Sequence, residues 1–443
     1  MSATELVARP ERSIPLNEHH RSVARHSGVY RGSAEPKKAQ APPQRSWIVD
    51  GSTASIMAGL TAGLGYTFGT VPLFLGATGS LTLSTEARSS WFFIIFLTSA
   101  VASLVLALRF RQPIAIGWTG PGLFLLASFG DRFTFPELAG ASFAAGIVLL
   151  ALGCLGLAAR AVHWIPLPIV MGVFAGSVLG YTSGIFRNLG AEPLTVGAAI
   201  AGYLGARALG RPWLPPMGGA VVAGLGLAAL AGRVEPHALY WSPPQVVPVW
   251  PSISVANFLA LSVPLVIVSL GIGGVQGIGF LESQGYRPPT RLITVAIGVA
   301  SLVNAAFGGH PSSLQVQGAA IVASPEAGPR EGRYVASIVA SLCCLVLALC
   351  ASTTGALLNV LPLGLVASLA GLALVGPVLE ALRKAVDSDL PVGGFFALAM
   401  AASSLTVFGI GSAFWALLGG LFVSLLLERE ALLRRWRPAA QVD

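Results

Sequence analysis

Fourteen apolar stretches of roughly helical length recur along this chain, at about 48–69, 90–108, 113–130, 136–159, 165–185, 193–209, 215–232, 255–281, 292–307, 311–325, 334–351, 356–379, 391–408 and 411–427. No ordinary soluble core absorbs such a succession, whereas ~20 apolar residues in a helix span a bilayer. Only 10% of the 443 residues are charged and the mean hydropathy is +0.74. The fold expected is an all-α integral membrane protein with 14 transmembrane segments. Residues 1–46 differ, being polar and rich in Arg, Pro and Ser. They lack the apolar core and small-residue cleavage site of a signal peptide and read as a disordered cytoplasmic tail.

An even number of crossings puts both termini on one side. With that side in the cytoplasm, only Arg88, Arg132, Arg187 and Arg233 of the 27 Lys and Arg residues face outward, and the other 23 face inward. This asymmetry is the positive-inside signature of a multi-pass protein of the cell inner or plasma membrane. It also accounts for the net charge of +8 without a nucleic-acid partner. Cys154, Cys343, Cys344 and Cys350 lie in apolar segments without metal-ligand spacing and read as small core residues. No nucleophile–base pair, metal cluster or phosphate-binding glycine loop is present, so no catalytic residue, metal or cofactor is expected and an enzyme is the least favoured class.

The proline-rich connection 233–254 divides the stretches into two sets of seven. Seven is odd, so the second set enters from the opposite face, giving the inverted repeats common in secondary transporters. The third stretch reads PIAIGWTGPGLFLLAS (113–128) and the tenth NAAFGGHPSSLQVQGAAIVAS (304–324). Aligning Pro121 with Pro311 sets Gly120 opposite His310 and Trp118 opposite Gly308. The fifth and twelfth echo each other more faintly, PIVMGVFAG (168–176) against PLGLVASLAG (362–371).

Both breaks fall inside charge-free runs. An unpaired backbone amide in lipid costs several kcal/mol, so broken backbone survives there only against protein or a watery cavity. Each break is read as a short strand followed by a half-helix starting at Pro121 or Pro311, where a proline suits the first turn. Thr119 and His310 would precede those starts, with Ser312 and Ser313 just inside. Two half-helix N-termini facing each other would offer an anion or a carbonyl group a set of free amide donors. His310 is the only ionisable side chain between Arg291 and Glu326. Such a group inside a membrane marks function, and histidine titrates near physiological pH, which makes it the proton-coupling candidate. Gln276, among the glycines of the eighth stretch, is a further polar candidate. Gln315 and Gln317 point to different sides of a helix, so one of them at most is expected at the ligand. Glu282 reads as a solvated end charge.

LESQGYRPP (281–289), FGGH (307–310), SPEAGP…RY (324–334) and Pro113, Trp118, Pro121 and Gly122 together resemble the benzoate/proton symporter family. The resemblance covers about residues 48–427 and is strongest from 281 to 334. It implies the seven-plus-seven inverted-repeat fold shared with uracil, ascorbate, sulfate and bicarbonate transporters. A core domain would comprise 47–160 (segments 1–4) and 255–352 (segments 8–11). A gate domain would comprise 161–254 (segments 5–7 with the outer loop) and 353–428 (segments 12–14), followed by a cytoplasmic tail at 429–443. The core would move against the gate like an elevator. Substrate contacts implied are Trp118, Thr119 and Gly120 on one side and His310, Ser312 and Ser313 on the other, with aromatic packing from Tyr66 and Phe68.

The chain departs from that family at ligand-facing places. Ile272, Gly273 and Gly274 stand where a Ser-Gln-Asn cluster is usual, and Pro311, Ser312 and Ser313 follow FGGH in place of an apolar pair and an Asn. The buried carboxylates of the uracil-carrying relatives have no counterpart within 255–281 or 305–324. A nucleobase is therefore disfavoured. The expectation is proton symport of a small organic anion, an aromatic carboxylate such as benzoate, held by the half-helix ends, His310 and Trp118. The alternatives are a sulfate or bicarbonate carrier and an anion channel of the same fold. The partners implied are the anion, protons and the lipid bilayer, with a homodimer through the gate domain left open.

Overall fold

The computed structural model describes residues 50–211, 214–234, 241–403, 405–407 and 410–436. The polar segment 1–46 lies outside them. Almost everything described is helix, and local sequence signals set the boundaries. The first helix, α1 (Thr53–Gly79), starts at Ser52, whose Oγ accepts the Ser55 amide at 3.1 Å. Ser84 caps α2 (Thr85–Phe110) in the same way, through Ala87 at 3.2 Å. Thr134 and Glu137 form a reciprocal capping box before α4 (Phe135–Cys154). Between α2 and α4 lie a short strand β1 (Ile116–Trp118) and a half-helix α3 (Gly120–Ala127). Then follow α5 (Ala158–Trp164), α6 (Leu167–Ala191), α7 (Pro193–Leu209) and α8 (Pro216–Leu230).

The second half starts with α9 (Val255–Ser283) and α10 (Thr290–Ala306). Strand β2 (Ser312–Leu314) and half-helix α11 (Val316–Val322) come next, then α12 (Tyr334–Leu349), α13 (Ala351–Val360), α14 (Leu363–Val386), α15 (Pro391–Ala402), α16 (Ser412–Leu427) and α17 (Arg429–Trp436). Each of the fourteen apolar stretches thus contains a helix or half-helix. Among the described residues, seven helices are long and apolar enough to cross a membrane, and α8, α10, α15 and α16 are shorter apolar helices. Residues 429–436, read as tail, form the helix α17 with Leu432 buried.

Several boundaries differ from expectation. The first helix runs ten residues past residue 69, interrupted by a π turn at Tyr66–Thr70. The twelfth stretch begins after a break at Leu361–Pro362 and continues through Glu380 and Lys384 to Val386. Arg88, placed in an outer loop by sequence, lies inside α2, buried, donating to the carbonyls of Leu83 and Gly355. Within the proline-rich connection, residues 241–254 form no helix or strand and run as a strap. Its Trp241 indole donates to Leu349 O at 3.0 Å, the Val247 amide to Ser90 Oγ at 2.9 Å and the Val249 amide to Ala306 O at 2.8 Å.

Small residues set the helix pairs. In the α7–α8 contact a Cβ on Gly202 would lie 2.3 Å from Gly219 O, and between α6 and α15 one on Gly172 would lie 2.2 Å from Gly394 O. Helix α6 also packs along α14, α4 along α10, and α12 against α1 and α2.

Candidate functional site

The two strands pair antiparallel, with Ile116 opposite Leu314, Gly117 opposite Ser313 and Trp118 opposite Ser312. The pairing extends symmetrically by one bond at each end. The Thr119 amide donates to Pro311 O at 3.1 Å and the Gln315 amide to Ala115 O at 2.9 Å. Each strand then passes one residue, Thr119 or Gln315, into its half-helix. Thr119 Oγ1 caps its helix by accepting the Gly122 amide at 3.3 Å.

This geometry corrects the predicted second break. Pro311 does not open a half-helix: Ser312–Leu314 continue as strand, and the helix starts at Val316. The structural counterpart of Thr119 is Gln315, not Gly309 or His310. Proline signalled the helix start in the first break, but in the second it marks the turn into the strand.

Around the ribbon lies a cavity of about 280 Å³. Its lining draws on the α1 π turn, β1–α3, β2–α11 and the π-helical run Ser269–Gln276 of α9, a geometry often found at functional sites. Met171 and Phe174 of α6, Leu374 of α14 and Phe124 of α3 supply large apolar side chains to the lining. Of the residues predicted from sequence, Tyr66, Trp118, Thr119, Gly120, Pro121, Gln276, Ser313 and Gln315 line this space. His310, Ser312, Phe68 and Pro311 do not. Both Gln315 and Gln317 line it, where only one was expected.

The lining is rich in donors. The Trp118 Nε1 and Gln276 Nε2 atoms are buried with no protein partner. Tyr66 Oη points over Gly318, where a Cβ would lie 2.3 Å away, and Gln315 covers Gly117, where a Cβ would lie 2.2 Å from its Nε2. The amides of Val316, Gln317 and Gly318 precede the first bond of α11, which Ala319 makes to Gln315 O. A carboxylate, with about four acceptor positions, suits such a set, and hydrogen bonds to charged groups are the stronger kind.

Ser312 and Ser313 serve the scaffold. The Ser312 amide donates to Ser301 Oγ at 2.9 Å, and its hydroxyl accepts from Asn304 Nδ2 at 3.1 Å. Ser313 Oγ donates to Ser269 O at 3.1 Å, tying β2 to α9. His310 stands behind the ribbon. Its Nδ1 accepts the Trp91 indole N–H at 3.0 Å, and its ring meets that of Trp118 edge-on at 5.3 Å. Nδ1 is thus occupied as an acceptor, so the neutral ring carries its hydrogen on Nε2. A second proton would enter at Nδ1 only if the Trp91 N–H withdrew.

Sequence reading missed Glu380, the one charged residue among the described lining, and Lys384 beside it. Lys384 Nζ donates to Gln276 Oε1 at 2.6 Å and pairs with Glu380. The i, i+4 spacing was legible; the helix that carries it was ended too early. The LESQGYRPP motif is structural, since Tyr286 Oη donates to Arg330 O at 2.8 Å and the Arg330 guanidinium lies over the Tyr286 ring.

The profile of the family described as "Benzoate membrane transport protein" matches residues 49–426. The benzoate membrane transport protein of Acinetobacter baylyi is 29% identical over 388 residues, covering 86% of this chain and 97% of its own. The inner membrane protein YdcO of Escherichia coli is 29% identical over 342 residues, covering 76% and 86%. Among solved structures, SLC26A9 superposes with a TM-score of 0.60 at 15% identity, over 87% of this chain and 66% of its own. The transmembrane domain of the cyanobacterial bicarbonate transporter BicA gives 0.51 at 15% identity, over 83% and 97%. These two likenesses establish the fold.

Proposed function

The chain belongs to the benzoate membrane transport protein family and is a multi-pass membrane transporter, not an enzyme; we propose that it carries benzoate or a closely similar aromatic carboxylate together with a proton. The observation that carries the substrate class is the mixed lining of the cavity. Trp118 and Gln276, each with a buried N–H that has no protein partner, line the cavity together with the aromatic and aliphatic side chains of Phe124, Met171, Phe174 and Leu374. A single ring bearing one carboxylate matches that combination. The volume of about 280 Å³ lies near the ~300 Å³ lower end of small-molecule sites. A sulfate or bicarbonate ion would leave Phe124, Phe174 and Leu374 with nothing to cover.

The symmetric bonds about the strand pair support two inverted halves of seven segments each, fourteen crossings in all. With both termini cytoplasmic, the inner face carries most of the Lys and Arg, and the end of the cavity lined by Glu380 would open on that side. The helices bearing the strands and the α6–α14 wall would then be the core and gate that exchange access by an elevator movement, with a homodimer assembled through the gate.

Uptake of labelled benzoate into proteoliposomes tests this reading. Saturable accumulation driven by an inward proton gradient is expected, displaced by other aromatic acids and not by excess sulfate or bicarbonate. No saturable uptake would remove the proposal.

We propose that His310 takes up the coupled proton at Nδ1 when the Trp91 N–H withdraws, and one substitution isolates this role. Asparagine at 310 presents an amide oxygen that accepts the Trp91 N–H in place of Nδ1, but it does not titrate. We expect His310→Asn to preserve benzoate counterflow while losing accumulation driven by the proton gradient. Intact gradient-driven accumulation in this variant would reduce His310 to a packing residue.

A further inference from the structure

The transport reading leaves unexplained why a charged pair, Glu380 and Lys384, stands at the rim of a cavity built for an anion. Both lie on α14, one turn apart on the same face, with Glu380 toward the N-terminus in the favourable order. Glu380 lines the cavity, with its side chain about half exposed (54%). Lys384 is more enclosed and reaches across to α9, where it donates to the Oε1 of Gln276 at 2.6 Å. That bond orients the Gln276 amide. With its oxygen engaged by an ammonium, its Nε2 is left turned elsewhere, buried and unpartnered, in a residue that lines the cavity.

The charges add up simply. With the cavity empty, Lys384 is neutralised by Glu380 and the lining is close to neutral. A carboxylate entering beside Gln276 brings a second negative charge within reach of the same ammonium. Lysine has three donors, and two are engaged here. In a partly enclosed site such charges interact far more strongly than in water. We propose, building on the transport reading, that Lys384 is the charge-selecting residue for the substrate carboxylate and that Glu380 is its internal competitor. Lys384 acts through the Gln276 amide and directly through its free N–H. Glu380 holds the ammonium when no substrate is bound and yields it when a carboxylate arrives. Neutral ring compounds of the same shape fill the apolar wall but gain nothing from Lys384.

The test uses the purified full-length protein and two isosteric probes, benzoate and benzamide, with dissociation constants measured by calorimetry. The wild type is expected to favour benzoate at least about tenfold, as befits one charge-assisted contact of ~1.4 kcal/mol or more. In Lys384→Met that preference collapses toward unity through weaker benzoate binding, while benzamide binding changes little. Lys384→Arg keeps the preference, which shows that the position tolerates substitution. Glu380→Gln tightens benzoate several-fold, and this gain vanishes in the Lys384→Met background. Melting temperatures close to wild type certify that the variants fold. Should the wild type bind neither probe, the transport reading itself falls, and this inference with it. If the wild type prefers benzoate but a folded Lys384→Met keeps the full preference, or Glu380→Gln acts equally in both backgrounds, only the role of Lys384 is overturned.

Discussion

Gly273→Ala is expected to lower benzoate transport by at least about tenfold, and Ser313→Gly in the same chain to restore part of it. A Cβ on Gly273 would lie 1.6 Å from Ser313 Oγ and 2.9 Å from Leu314 O. Neither neighbour yields easily. Ser313 Oγ is held by Ser269 O, and Leu314 is fixed by its pairing with Ile116. The added methyl must push β2 away from α9, and the pairing carries that displacement to Trp118 and the rest of the cavity lining. Overpacking of this kind costs ~1–3 kcal/mol or more, and ~1.4 kcal/mol is already tenfold in an equilibrium. Ser313→Gly alone removes one hydrogen bond and adds glycine flexibility, a loss of ~1 kcal/mol. In the double variant the worst contact is gone and only the 2.9 Å approach to Leu314 O remains. Proteoliposome uptake and thermal melting of the four proteins close a double-mutant cycle with a favourable coupling term. A fully active Gly273→Ala would mean that the ribbon and α9 do not share the rigid seat derived above.

This same contact shows what the amino-acid sequence could and could not convey. The apolar runs, the two broken segments and the helix start after Thr119 were legible because each rests on local chemistry, whereas Trp118 and Gly120 entered as site residues through the family resemblance. Charge-free runs demand helix, and Thr-Gly-Pro writes a capped helix start within four residues. Gly273 was legible only as a glycine. Its reason lies in Ser313, forty residues away, and close approach between distant segments leaves no local trace. The second break was misaligned because Pro311 imitates Pro121 in a different structural role. Antiparallel pairing, not proline position, relates the two breaks. His310 looked exposed to a ligand because a lone ionisable group in an apolar run suggests function. Its actual neighbours, Trp91 and Trp118, come from other segments and enclose it. Glu380 and Lys384 fell outside the twelfth apolar stretch, which was ended at residue 379, and so received no role at the site. The helix continues for seven residues past that end, because its final turns are stabilised by an ion pair and by packing of Ala381 and Ala385.

Trp118→Phe is expected to move affinity and stability in opposite directions. Trp118 is 4% exposed, and its ring packs edge-on against His310 at 5.3 Å and against Phe96 at 6.3 Å. Phenylalanine keeps an aromatic face for both contacts and removes only the indole N–H and the second ring. In the empty protein that N–H has no protein partner. A buried donor left unsatisfied costs ~1–3 kcal/mol, so its removal offsets part of the lost packing and the melting temperature should hold or rise. With substrate bound the balance reverses. The N–H that was idle becomes a donor to a carboxylate, a bond of ~1.5–3 kcal/mol, and its loss weakens benzoate binding by about tenfold or more. Benzamide, whose oxygen is neutral, should lose less. Trp118→Ala separates this effect from simple packing: it opens a void costing ~3–5 kcal/mol and lowers stability and transport together. Calorimetric titration of benzoate with differential scanning of the ligand-free proteins measures both quantities. Unaltered benzoate affinity in a stable Trp118→Phe protein would show that the indole N–H does not meet the substrate, and would leave Gln276 and the α11 amides to hold the carboxylate.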